Sequence, residues 1–134
     1  MKKLAFIFSL LTILVSCKSN YKIFVSRPSS SINEIHGYDL KKFFNSKNDI
    51  RKIKIKDEQL LSKEIGIIKD SLNKVPSLPD AGERFGIYKF AFIVSKDTLY
   101  STSTLKGWRY QNKVGKYEIF SSILRAEILK ASEE

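Results

Sequence analysis

The chain has 134 residues, with 24 Lys and Arg against 14 Asp and Glu, and a formal net charge of +10. That length holds one domain around one hydrophobic core, and a single cysteine excludes an intramolecular disulfide and a cysteine-built metal site. The charge points to anionic partners such as lipid headgroups, lipopolysaccharide or an acidic protein. The cations are mostly lysines, which lack the planar fork suited to phosphate, so nucleic acid is not expected; a Lys-, Ile- and Asn-rich composition also follows from an AT-rich genome, so charge alone names no partner.

Met1, Lys2 and Lys3 form a short basic start, and residues 4–15 are apolar apart from Ser9 and Thr12. This is the pattern of a signal-peptide core. It falls short of the roughly 18 apolar residues that a membrane-spanning helix needs. Leu14-Val15-Ser16-Cys17 follows directly. These four residues resemble the lipobox of bacterial lipoproteins at every position, a likeness confined to residues 1–17. It implies cleavage before Cys17, transfer of a diacylglycerol to its thiol, and acylation of the amine freed by the cut. A thiolate is the nucleophile such a transfer requires, and two or more acyl chains hold a protein stably on a bilayer where one does so only marginally. Lys18 follows the cysteine. In Gram-negative lipoproteins an Asp at that place marks retention in the inner membrane, so the resemblance implies the outer membrane. Residues 18–22 carry no acid, so display on the cell surface is not inferred, and the face of the membrane is left open.

The resulting division is a signal peptide at 1–16, a lipidated cysteine and tether at 17–30, and one small domain at 31–134. Residues 21–25 read as a first strand or as the end of the tether packed on the domain. Pro28 and the serines after it mark a loop. Residues 38–45 suggest a short helix with Leu40, Phe43 and Phe44 on one side, and 46–49 a turn. Residues 51–56 alternate strictly: Ile53 and Ile55 face one way, Lys52, Lys54 and Lys56 the other, as in a strand with one dry face. A lysine row also guards an exposed edge.

Asp57 is an N-cap for a helix over 58–73, whose Leu61, Ile65, Ile68 and Leu72 recur at helical spacing. Residues 75–84, with Pro76 and Pro79, read as a loop. Residues 85–95 predict a central strand, with Tyr88, Phe90, Phe92 and Val94 on one face and Ile87, Ala91 and Ile93 on the other. Lys96-Asp97 suits a hairpin turn, 98–104 a returning strand, Gly107 a break, 108–110 a further strand and 111–116 a polar loop. A last helix is expected over 117–131, with Phe120, Leu124 and Ile128 on its stripe and Ile119 and Ile123 beside it. The class is α+β, an antiparallel sheet of three to five strands with two main helices packed on it.

Little chemistry is written in these residues. His36 is the lone histidine; as a general base it needs a nucleophile and an orienting carboxylate, and Glu34 and Asp39 are near only in sequence. Asp80 and Glu83 flank Ala81-Gly82 as an exposed loop rather than a glycosidase pair. There is no zinc spacing and no phosphate-binding glycine loop, and no metal or cofactor is expected. Tyr100, Trp108 and Tyr110 are candidates for an aromatic binding surface or for core. Lys52, Lys54 and Lys56 are candidates for contact with an anionic partner or for a solvated strand face. The expectation is a non-catalytic, lipid-anchored envelope protein that binds an envelope component or partner protein. The alternatives are an immunity or inhibitor lipoprotein, a small hydrolase centred on His36, and an apolar-ligand carrier with a cavity lined by Phe90, Phe92 and Leu124.

Overall fold

The computed structural model describes residues 21–27, 43–44, 49–77, 88–119 and 121–134. Among them, six strands form one antiparallel sheet: β1 Tyr21–Arg27, β2 Asp49–Ile53, β3 Phe90–Val94, β4 Asp97–Ser101, β5 Gly107–Tyr110 and β6 Lys113–Lys116. Their order across the sheet is β2-β1-β3-β4-β5-β6. Two long helices, α1 Glu58–Asn73 and α2 Ser122–Glu133, complete the α+β fold.

Six strands replace the expected three to five. The additional strand is β6, in the stretch expected to be a polar loop, where Lys113 pairs with Tyr110 and Gly115 with Trp108. It is a four-residue edge strand without apolar alternation, and its hairpin turns at Gln111 with φ 54° and no glycine. Gly107 opens β5 instead of breaking the pattern. The sheet also takes up β1, so the first described strand lies within the stretch assigned to the tether; it is paired on both sides, Ile23 facing Ile53 in β2 and Phe92 in β3.

Both helices cover the same face of the sheet. On that face Ile23, Val25, Phe90, Phe92, Leu99 and Trp108 meet Leu61, Ile65, Ile68 and Leu72 of α1 and Leu124 and Ile128 of α2. Burying each large side chain of this kind contributes roughly 1.5–3 kcal/mol. α1 begins where its cap dictates: the Asp57 carboxylate accepts from the Leu60 N–H at 3.0 Å. α2 starts later than the expected residue 117, because Ser121 is its cap, accepting from the Leu124 N–H at 3.1 Å. Ile119 is buried ahead of the helix, while the Trp108 indole N–H donates to the carbonyl of Tyr117 at 2.9 Å and of Leu105 at 3.2 Å. Ile123 stands 81% exposed, and Phe120 lies outside the described residues.

The other face carries a smaller cluster, in which Phe43 and Ala91 are buried against Phe24, Ile50 and Tyr100. Phe43 and Phe44 belong to a helical turn; the remainder of the helix expected over 38–45 is outside the described residues. The Phe43 ring packs edge-on to those of Phe44 at 5.1 Å and Tyr100 at 5.7 Å. Tyr88 departs from the expected alternation, since its ring lies 6.2 Å from Tyr100 on this second face. Ser101 stands opposite Phe90 in the ladder, yet its carbonyl accepts from the Lys89 N–H. The chain therefore fits in one extra residue just before β3, and that reverses the side on which Tyr88 falls.

Candidate functional site

Strand register sorts the charged residues by face. Lys22 of β1 stands two positions from Phe24, and Phe24 faces both Lys52 of β2 and Ala91 of β3. Ala91 faces Tyr100, and Tyr100 faces Arg109 of β5. Lys22, Lys52 and Arg109 thus lie on the second face, around the aromatic cluster on which Phe43 and Phe44 pack, and Lys116 holds the corresponding register position in β6, opposite Gly107. Among the described residues, no strand position on this face bears an acid. The described acids lie elsewhere: Asp49 at a register position of the opposite face in β2, Asp57 and Glu118 outside the strands, Glu58, Glu64 and Asp70 in α1, Asp97 on the helix side of β4, and Glu127, Glu133 and Glu134 at α2.

Two phenols sit beneath this cationic surface. Tyr88 is 1% exposed, and its hydroxyl has no hydrogen-bond partner among the described residues. Burial pushes its pKa up to about 12 against the opposing pull of the Arg109 guanidinium. Burial likewise raises Tyr100, again opposed by Arg109. Both phenols are neutral hydrogen-bond donors at physiological pH. Arg109 is itself positioned by its Nε–H, which donates to the Gln111 carbonyl at 2.8 Å. The face therefore presents the exposed cations Lys22 and Lys52 beside half-buried aromatic rings, a combination suited to a carboxylate-bearing surface.

A second polar cluster lies on the helix side. Lys69 Nζ pairs with Asp97 Oδ2 at 2.5 Å, and the Tyr110 hydroxyl donates to Asp97 Oδ1 at 2.7 Å. The Lys69 ammonium also stands 5.5 Å from the centre of the Tyr110 ring. The hydrogen bond from Lys69, then that from Tyr110, lowers the Asp97 pKa. Asp97 is consequently held ionised, a clamp between α1 and two strands rather than a proton donor. Among the described residues no group of His, Cys, Asp and Glu could hold a metal ion.

The residues singled out from the sequence fall in different places. Lys52, Lys54 and Lys56 are all exposed, but only Lys52 lies within the sheet; the other two follow the end of β2. Tyr100, Trp108 and Tyr110 do not share a surface: Trp108 is 0% and Tyr110 8% exposed on the helix side, while Tyr100 lies on the opposite face. Phe90, Phe92 and Leu124 are packed in the core. A groove of about 360 Å³ instead runs between α1 and the stretch after β6, bordered by Ile67, Ser71 and Tyr117. Cys17, His36, Glu34, Asp39, Asp80 and Glu83 are outside the described residues. Lys22, Phe24 and Arg109 were not singled out beforehand; the alternation Trp108-Arg109-Tyr110 was the available signal, since a buried tryptophan and tyrosine force the arginine between them outward.

No helix among the described residues is long and apolar enough to cross a membrane. Comparison with protein-family models, curated proteins and solved structures finds no match for this chain.

Proposed function

We propose that the chain is a lipid-anchored, non-catalytic binding protein of the bacterial envelope, carried on acylated Cys17, and that the cationic rim of its second sheet face docks an acidic partner protein. The observation that carries the docking is the segregation of charge: Lys52 and Arg109 flank Phe24 and Tyr100 with no acid at a described strand position of that face. Complementary charge accelerates encounter and rejects partners of like sign, and aromatics with an arginine at their edge are the groups that dominate protein interfaces. The lipobox supports the anchor, and Lys18 the outer membrane.

The test uses the native lipidated protein and a Lys52→Glu/Arg109→Glu variant, each captured from envelope extracts, with companions identified by mass spectrometry and then re-measured as purified proteins. An acidic companion is expected whose affinity falls at least about tenfold in the variant and with rising salt. A companion set indifferent to charge reversal defeats the docking face. Fatty-acid labelling of wild type but not Cys17→Ser is expected for the anchor; equal labelling of the two defeats it.

A further inference from the structure

We infer that the end of the sheet at which β1 begins is the membrane-facing end of the domain, where Lys22, Lys54, Lys56 and Lys96 rest on anionic lipid headgroups. This rests on the acylation of Cys17 proposed above and adds to it an orientation and a class of lipid.

Residues 18–20 separate Cys17 from Tyr21, the first residue of β1. An extended chain spans at most about 3.6 Å per residue, so the anchor is held within roughly 15 Å of the sheet. Register shows what shares that end. Tyr21 stands opposite Val94 and Ile23 opposite Ile53. The turn Ser95–Lys96 therefore flanks the start of β1 on one side, and the link carrying Lys54 and Lys56 from β2 to α1 flanks it on the other. All four lysines are exposed, and none forms an ion pair among the described side chains.

The neighbouring acids are already engaged. Asp57 caps α1 through the Leu60 N–H, and Glu127 Oε1 accepts from the Lys56 N–H at 2.7 Å. Glu58 is hydrogen-bonded with the Tyr21 side chain, and Asp97 with Lys69 and Tyr110. Attraction between lysines and an anionic leaflet decays within a Debye length, about 8 Å at physiological salt. The short tether bounds the start of β1 to within about two such lengths of the anchor and so lets these four reach the headgroups, and acyl chains joined to a basic patch hold a protein more firmly than acyl chains alone.

Acylation blocks the one native thiol, so an introduced cysteine is the only free thiol of the processed protein. Ser95→Cys marks the lysine end, and Ser103→Cys marks the exposed loop between β4 and β5 at the opposite end. Each is labelled with a fluorophore and reconstituted into phosphatidylcholine vesicles with or without phosphatidylglycerol, doped with a headgroup nitroxide quencher. Quenching several-fold stronger at position 95 than at 103, increased by phosphatidylglycerol, is expected. A Lys22→Gln/Lys54→Gln/Lys56→Gln/Lys96→Gln background lowers the membrane-contact equilibrium at least about tenfold. Equal quenching at the two ends, or quenching indifferent to phosphatidylglycerol and to the four substitutions, overturns the inference. Mass spectrometry of the same preparation separates the two readings. If Cys17 carries no acyl group the anchor reading fails, and salt-sensitive sedimentation of the full chain with phosphatidylglycerol vesicles still tests the lysine end; its absence overturns the inference by itself.

Discussion

The Ser121 N–H donates to Oε1 of Glu64 at 2.9 Å, so a carboxylate buried in the middle of α1 holds the residue that starts α2. Glu64 is 5% exposed, and its other oxygen, Oε2, has no hydrogen-bond partner among the described residues. Glu64→Gln keeps an acceptor for the Ser121 N–H, so its cost is smaller than that of removing the side chain. Glu64→Ala strips the amide of its partner and costs about 1–2 kcal/mol. Denaturant unfolding of the three proteins measures both effects.

The Lys69–Asp97–Tyr110 cluster makes stability depend on pH. Asp97 titrates below its ordinary value of 3.8 in the folded protein, through Lys69 first and Tyr110 second. Its contribution is therefore complete above that value and is lost as pH falls through the lower, folded one. Hydrogen bonding to Asp97 raises both Lys69 and Tyr110, so their contributions persist through neutral pH and fade only in strong alkali. Asp97→Asn costs under about 1 kcal/mol at pH 7, because the pair is partly solvated. The variant also flattens the acid limb of the stability profile between about pH 5 and 2, and denaturant midpoints across that range read it directly.

Two glycines behave oppositely. A Cβ at Gly115 meets Cε2 of Tyr117 at 2.4 Å and Cδ2 of Leu72 at 3.2 Å, whereas one at Gly66 meets nothing within 4 Å. Gly115→Ala forces the Tyr117 ring aside and crowds Leu72 of α1, at a cost of about 1–3 kcal/mol. Gly66→Ala lies inside α1 and stabilises by up to about 1 kcal/mol. Thermal unfolding distinguishes a fall in Tm for the first from a rise for the second.

Trp108 is the only tryptophan, 0% exposed, and its ring lies 5.2 Å from that of Phe92. Its emission is expected to be blue-shifted and nearly insensitive to iodide, and to stay so in the Lys52→Glu/Arg109→Glu variant, which acts on the other face. Trp108→Ala opens a cavity and leaves two carbonyls without their donor, at a cost of about 3–5 kcal/mol, a large share of the total stability of a small domain. Loss of the cooperative unfolding transition in that variant is the corresponding readout.

Local signals made parts of this fold legible. α1 has the expected bounds because a capping aspartate, a heptad-like row of Leu and Ile and a terminal run of polar residues agree with one another. The alternation around Ile53 and Ile55 announced an edge strand, and the doubly apolar run at Phe90–Val94 announced an interior one. β6 was hidden because an edge strand of Lys, Val, Gly and Lys carries no periodic apolar signal, and because Gln111 takes the left-handed turn conformation without a glycine to advertise it. The start of α2 was displaced because Tyr117 and Ile119 match helical spacing while serving the core from an extended segment. The cationic second face could not be read at all: Lys22, Lys52 and Arg109 are far apart in sequence, and only pairing register brings them together.

The interior position of β1 also governs the order of assembly. A chain threaded out N-terminus first delivers this strand early, yet its partner on one side, β3, arrives only after α1 has emerged. The nascent polypeptide therefore cannot close its sheet in the meantime, and the interior strand waits, half-paired, until the later hairpins have been made.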